Sequence, residues 1–521
     1  MMMPQEANAM RGLHAAAVLL VVILLVSTLY VALTAPIDAD EVEHTHVAWL
    51  LSQGILPYRD IHQLHAPLTW LVFAPILRLM PESAATIVAL RMVCLLAFFG
   101  GSFFGLLMLR RMAPGTPFLF VFLYAVLCAA SLLPVEADRF RADPFMTVMA
   151  ILGIYFAARI RNASWRLPYL SGLAFGLAAG FSPKMAPLCL LIPVISSLES
   201  IRCRSWRPLL VCLANLAGFL TGILPVVVWV LCSGLSEAFV RWTVVGNALT
   251  LNFPSLLDIS LAALRVPATV LGPAALLLLF FTRASSASSQ AYGWRPRWTV
   301  IVATILAYAI FLAEPNHLPY NLQCFVVPAC LSITLALYRL AGRFVGTRRF
   351  WMAAGLPVLV LVGMHLCYVA PIQVGGMVIN HRRWSWTIPQ VDLERLIRLA
   401  KATGGPCVAP APEHPVFCRD ATEFYLRWDL GLLTEPWVPE AARAAYREIV
   451  RKAVQSIESG APALVAREEW IRSVALSKGI ITEEEAARLK TAIGRFYVPE
   501  TVGTLPVLIR RETRQSPATE Q

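Results

Sequence analysis

Charge is scarce in this chain, and where it occurs it is sorted by sign. Of its 521 residues only 15% are Asp, Glu, Lys or Arg, while 58% are apolar. Soluble domains carry about 25% charged and about 45–50% apolar residues, so a wholly soluble protein is excluded. No CxxC pair occurs among the eleven cysteines, which removes the usual zinc and redox spacings. Most of them (Cys94, Cys128, Cys189, Cys212, Cys330, Cys367) sit in apolar runs and act there as small hydrophobes. A long basic tract, zinc-finger spacing and an RNA-binding signature are absent as well. The net charge of +12 therefore argues for membrane topology and against a nucleic-acid partner.

Long apolar runs are what the chain does have. Residues 13–35 supply about 23 of them, enough to cross a bilayer core of roughly 30 Å, and the further runs that follow mark this one as a retained first helix. Later spans are expected near 88–109, 116–134, 144–158, 169–181, 185–199, 209–232, 262–282, 298–313, 320–338 and 350–371, about eleven in all. With the N-terminus cytoplasmic, the inside loops carry Arg110/Arg111, Arg159/Arg161/Arg166, Arg202/Arg204/Arg207, Arg283/Arg295/Arg297 and Arg339/Arg343/Arg348/Arg349. The outside loops carry the acids, from Asp38, Asp40, Glu41 and Glu43 through Glu136, Asp138 and Asp143 to Glu237, Asp258 and Glu314. An odd number of spans then leaves 372–521 outside the cytoplasm.

That tail reads differently. "VDLERLIRLAKATGG" (391–405), 439–460 and 482–496 have helical periodicity, and "CVAPAP", "APALVAR" and "TLPVLIRR" read as short strands. The expected fold is an α-helical polytopic membrane protein with a small C-terminal extracytoplasmic α/β domain. Its parts are 1–371, with a first outside loop at 36–87, and 372–521. Cys407 and Cys418 are either a disulfide closing a short loop in an oxidising compartment or two independent thiols.

Four polar stretches, all on the outer side, carry chemistry. In "PIDADEVEHTHVAWLLSQGILPYRDIHQLHAP" a helix follows Glu41, with Val42, Val47, Leu50 and Leu51 as an apolar stripe for the membrane interface. Gln53-Gly54 ends it, and Pro57-Tyr58 opens a turn. Asp40 and Glu41 fall at the helix N-terminus, where the dipole favours carboxylates, so N-capping and catalysis are both open to them. Asp38, Glu43, His44 and His46 read as surface or capping groups. "PVEADRFRADP" (134–144) interleaves Glu136, Asp138 and Asp143 with Arg139 and Arg141. It is either a self-compensating loop or a guanidinium clamp for a lipid phosphate. In "GLAFGLAAGFSPKMAP" Gly172, Gly176 and Gly180 make a small face for close helix packing. Lys184 follows, either snorkelling or binding phosphate. "EAFVRWTVVGN", ending in Asn247, and "AEPNHLPYN", with His317 and Tyr320, complete the set.

In order and sidedness these loops resemble the C-type (GT-C) membrane glycosyltransferases, in the branch of the protein mannosyltransferases, the aminoarabinose transferase and the Rgt-type enzymes. The residues that carry the resemblance are Asp40-Glu41, then "GILPYRDIHQLHAPL" (54–68) with Tyr58, Arg59, Asp60 and His65. "RAD" (141–143), the glycines leading to Lys184, and "LPYNLQCFVVP" (318–328) follow. The resemblance implies transfer of a sugar from a polyprenyl-phosphate donor to an envelope glycan, glycolipid or protein in the plasma membrane's outer face, with inversion. It makes Asp40 the general base with Glu41 in support. Arg141 and Lys184, with Arg139 or Arg59 as substitutes, would follow the phosphate charge. Some relatives hold a divalent metal with an acid just before "x-P-P-L". Here that position is Leu64, and Asn247 stands where some carry histidine, so no metal is assigned, although His65 or His317 could serve one. A transporter would put ionisable residues inside the spans and show repeats; here the span interiors are nearly charge-free and no repeat is seen, while a non-catalytic envelope-assembly subunit stays open.

Overall fold

The computed structural model describes residues 4–61, 63–113, 116, 118–132, 136–160, 165–203, 207–241, 243, 294–313, 319–342, 387–422, 440–477, 479–503 and 505–514. Its longer helices are α1 (Pro4–Thr34), α2 (Ala39–Ser52), α3 (Leu68–Leu77), α4 (Ala84–Met112), α5 (Phe118–Leu132), α6 (Asp143–Arg159), α7 (Arg166–Phe181), α8 (Leu191–Cys203) and α9 (Arg207–Cys232). They continue with α10 (Trp294–Ala313), α11 (Gln323–Gly342), α12 (Gln390–Thr403), α13 (Glu440–Glu458), α14 (Glu468–Ser477) and α15 (Glu483–Phe496). A 3-10 segment, Pro183–Leu190, joins α7 to α8. Nine of the eleven expected spans therefore fall on helix; those at 262–282 and 350–371 lie outside the described residues. Among the described residues, Ala84–Met112 and Pro208–Cys232 are the two helices long and apolar enough to cross a membrane, with shorter apolar helices beside them. The chain divides into two compact units, Met1–Leu33 with Arg91–Val228 and Phe253–Val378, and Thr34–Leu90 with Trp229–Asn252 and Ile379–Gln521.

The first unit is helix packed on helix. α6 packs on α7 and on α10 and α11, and α11 also packs on α5. These helices are apolar around most of their circumference, which only a membrane or a helical interior accommodates. Arginines close three of them, Arg110 and Arg111 on α4, Arg159 on α6 and Arg339 on α11, where cations complement the helix dipole. The small face foreseen on α7 meets a second one on α9. A Cβ on Gly172 would lie 1.9 Å from the Asn215 carbonyl oxygen, and one on Gly218 would lie 2.0 Å from that of Tyr169. Gly176 and Gly222 repeat the contact one turn further on. The α9 glycines are spaced like those of α7, but only the packing marks them as partners.

The second unit mixes helix and sheet. α2 packs on α3, and β1 (Ile37–Asp38), just ahead of α2, pairs antiparallel with β2 (Thr387–Ile388). A four-stranded sheet has the order β3 (Cys407–Val408), β4 (Leu464–Ala466), β6 (Leu505–Arg510), β5 (Tyr497–Val502), with β3 and β4 parallel and the rest antiparallel. Three of these strands lie in the stretches expected from sequence; β5 was not anticipated, since Pro499 interrupts it. Proline is tolerated there because β5 is an edge strand. Val450, Val454 and Ile457 of α13, Ile471 of α14 and Leu489 of α15 form the apolar core with Val465 and Tyr497. α12 ends at Gly404 with φ +64°, the left-handed cap that glycine supplies without steric cost.

Candidate functional site

α2 begins with a complete capping box. The Glu41 N–H donates to Asp38 Oδ1 at 2.8 Å, and the Asp38 N–H donates to Glu41 Oε2 at 3.1 Å. Asp38 is thus the N-cap, as its sequence reading allowed, and Glu41 holds the start of the helix with its carboxylate. Asp40 stands between them in the first turn, 9% exposed, where the helix dipole favours its charge. One expectation is corrected here. Glu43, His44 and His46 are not surface groups but buried, and every residue of α2 except Leu51 is buried. Their polarity misled because each ring has found a partner: Trp70 Nε1–H donates to His44 Nδ1 at 3.2 Å, and His46 is bonded at both nitrogens. The helix therefore has no polar face turned to water, unlike the one-sided interfacial helix foreseen.

Downstream, "PYRD" forms a turn. Tyr58 has φ +71°, its N–H donates to Ile61 O at 2.8 Å and its hydroxyl to His65 O at 2.5 Å. Burial raises the Tyr58 phenol above its ordinary range, with a hydrogen bond from Thr243 opposing. Arg59 is exposed and pairs with Asp60 at 2.8 Å, and Asp60 also accepts the Leu56 N–H at 2.8 Å. The Arg59 hydrogen bond is the largest cause holding the Asp60 carboxyl below its usual value. The His65 ring lies 4.9 Å from that of His44.

In the first unit three separate loops meet. Lys184 Nζ lies 3.0 Å from Asp143 Oδ1, at the first residue of α6, and 2.7 Å from Asn321 Oδ1. Arg141 Nη2 pairs with Glu136 Oε2 at 3.0 Å. Asp138, Arg139, Arg141 and Asp143 are all buried, so this loop is packed in and not a solvated string of charges. Asn321 was missed in the sequence, where it follows the Pro-Tyr pair of "LPYN". Tyr320 lies in the 3-10 turn Pro319–Leu322; Asn247 and His317 lie outside the described residues.

The part-buried carboxylate–lysine–amide cluster of the helical unit and the capped acidic helix of the second unit sit on a recognisable scaffold. The chain has the fold of the C-type (GT-C) membrane glycosyltransferases, a polytopic membrane fold, as the order of its loops implied. ArnT from Cupriavidus metallidurans bound to undecaprenyl phosphate is similar at TM-score 0.56 and 13% identity, covering 98% of this chain and 99% of that one. The Archaeoglobus fulgidus oligosaccharyltransferase AglB, in complex with an inhibitory peptide and a dolichol-phosphate, gives 0.51 and 12% over 97% of this chain and 75% of that one. The Archaeoglobus fulgidus oligosaccharyltransferase in complex with Zn and sulfate gives 0.50 and 10% over 92% and 71%. At these identities the likeness is one of fold. No family model and no curated protein matches the sequence.

Proposed function

We propose that this protein is an integral-membrane glycosyltransferase that moves a sugar from a polyprenyl-phosphate donor to an envelope glycan, glycolipid or protein on the extracytoplasmic face. The observation that carries this reading is the fold shared over 98% of the chain with a protein crystallised on undecaprenyl phosphate. The acceptor hydroxyl must lose a proton as it attacks the anomeric carbon. Asp40 is the base, held in position by the Asp38–Glu41 capping box. A positioned carboxylate contributes about 10²–10⁴-fold to such a step. The bond from carbon one to the phosphate oxygen breaks as the new glycosidic bond forms, so the anomeric configuration inverts. Lys184 and Arg141 neutralise the departing lipid phosphate, taking it in exchange for part of their present contacts to Asp143, Asn321 and Glu136. Leu64 offers no ligand atom where some relatives carry an acid, and the roles above belong to this chain's own side chains. Residues 372–521 act outside the cytoplasm.

Mass spectrometry of polyprenyl-linked sugars and envelope glycans, with and without the protein, tests the reading. Loss of the protein is expected to accumulate one lipid-linked sugar and to strip one residue from one acceptor. Unchanged pools of both would refute it.

A further inference from the structure

Apart from the loops assigned above, the second unit gathers His46, His414 and Asp420, whose ligand atoms all lie within 4.8 Å of one another. Residues 407 and 420 are bridged by the backbone. The Cys407 N–H donates to Arg419 O and the Ala421 N–H donates to Cys407 O, both at 2.8 Å, and this brings Asp420 alongside β3. His414 lies in the connecting loop, and His46 arrives on α2. His46 Nε2 is 2.9 Å from Asp420 Oδ2, His414 Nε2 is 3.1 Å from Asp420 Oδ1, and Cys407 Sγ is 3.3 Å from His414 Nε2. Both imidazoles and the thiol are fully buried.

Val416 decides which ring atoms face the cluster. A carbonyl only accepts, so the 2.5 Å contact between His46 Nδ1 and Val416 O places the ring proton on Nδ1. In the neutral ring Nε2 then turns a bare lone pair towards a carboxylate oxygen, whereas the imidazolium turns an N–H there. Two lone pairs at that separation repel unless a cation lies between them. A histidine that binds metal through one nitrogen characteristically donates its other N–H to a backbone carbonyl or carboxylate, and His46 has that arrangement.

We propose that His46 Nε2, His414 Nε2, an Asp420 carboxylate oxygen and Cys407 Sγ form a binding site for a divalent transition-metal ion of the Zn²⁺ class. This inference goes beyond the transferase reading and does not depend on it. Imidazole, carboxylate and thiolate together suit Zn²⁺ better than Mg²⁺ or Ca²⁺. Metal–ligand lengths of about 2.0–2.3 Å give tetrahedral edges of about 3.3–3.8 Å, so the 2.9 and 3.1 Å histidine–carboxylate contacts must open by a few tenths of an ångström, while Cys407 Sγ, which meets the group through His414 alone, must close on the other two donors. One rearrangement is required. The Val416 N–H donates to His414 Nδ1 at 3.0 Å, which puts the His414 proton on Nε2, and that proton and the Cys407 thiol proton must leave on loading. Val416 itself has φ +58° in a turn closed by Phe417 N–H to Pro415 O at 2.6 Å. That is a strained backbone for a β-branched residue. Turning the 415–416 peptide relieves the strain, withdraws the N–H from Nδ1 and offers a carbonyl in its place, the acceptor that a metal-bound His414 needs.

The test uses the full-length protein in detergent, stripped with a chelator and titrated with Zn²⁺ against a chromophoric competitor. Metal content is read by mass spectrometry and geometry by Co²⁺ visible absorption. About one equivalent is expected, with tetrahedral Co²⁺ bands whose thiolate charge-transfer component disappears in Cys407→Ser. His46→Ala and Asp420→Asn are expected to weaken binding about tenfold or more. Asp40→Asn, which probes the transferase reading, is expected to keep its metal, so the two ideas fail separately. Wild-type protein with no Zn²⁺ affinity above that of the His46→Ala/Asp420→Asn double variant would overturn the proposal and leave a proton-bridged network. If the variants do not fold, absence of any Co²⁺ band or competitor displacement in the wild type overturns it equally.

Discussion

Lys184→Met offers a decisive perturbation of the helical unit, because its cost can be worked out in advance. Lys184 and Asp143 are 18% and 10% exposed at the side chain and 3.0 Å apart, and Asn321 takes a further Lys184 proton at 2.7 Å. Removing one member of a buried ion pair costs about 3–5 kcal/mol, mostly because the other charge is left uncompensated. Two corrections lower this. The residual exposure allows some hydration, and Asp143 sits at the N-terminus of α6, where the helix dipole recovers about 0.3–1 kcal/mol. The single variant is therefore expected to lose about 2–3 kcal/mol, and Lys184→Met/Asp143→Asn, which buries no charge, about 1 kcal/mol. Thermal unfolding in detergent, followed by tryptophan fluorescence, gives the comparison. Equal losses in the single and double variants would refute the claim that the charge pair organises this unit. The same proteins test the proposed role of Lys184. Both should lose affinity for a polyprenyl phosphate even though the double variant is nearly as stable as wild type; full affinity in the double variant would remove Lys184 from phosphate binding.

Other consequences follow from the geometry. Asp40→Asn should keep expression and donor binding while transfer, measured with purified lipid-linked sugar, falls about 10²–10⁴-fold; near-wild-type turnover would exclude Asp40 as the base. Asp38→Ala removes the acceptor of the 2.8 Å cap bond and should cost about 1 kcal/mol, read as a lower unfolding midpoint. Gly172→Val forces a Cβ into the Asn215 carbonyl, and α7 and α9 must separate; overpacking of this kind costs about 1–3 kcal/mol or more, so yield of monodisperse protein should fall sharply. Burial keeps the Tyr58 phenol neutral in the folded chain beyond its ordinary value of 10.0, whereas the unfolded chain gives up that proton above about pH 10. The unfolded state then binds fewer protons, so stability should decline as pH rises beyond 10, and Tyr58→Phe should remove that component.

What the sequence determined by itself is whatever follows from local composition and spacing. Runs of apolar residues long enough to span a bilayer, and arginines sorted from acids by loop, give the polytopic class. Gly404 stops α12, the spacing of Asp38 and Glu41 encodes the capping box, and the order of the polar loops led to the fold. Tertiary structure alone decided which groups meet. Asn321 is 137 residues from Lys184, and His46 is 374 from Asp420; no local pattern links either pair. Burial was hidden for the same reason. His44 and His46 look like surface residues beside four carboxylates, yet Trp70, Val416 and Asp420 supply the hydrogen bonds that let them be buried. A polar side chain advertises its chemistry in the sequence, but whether it faces water or a partner depends on which distant segment the fold brings to it.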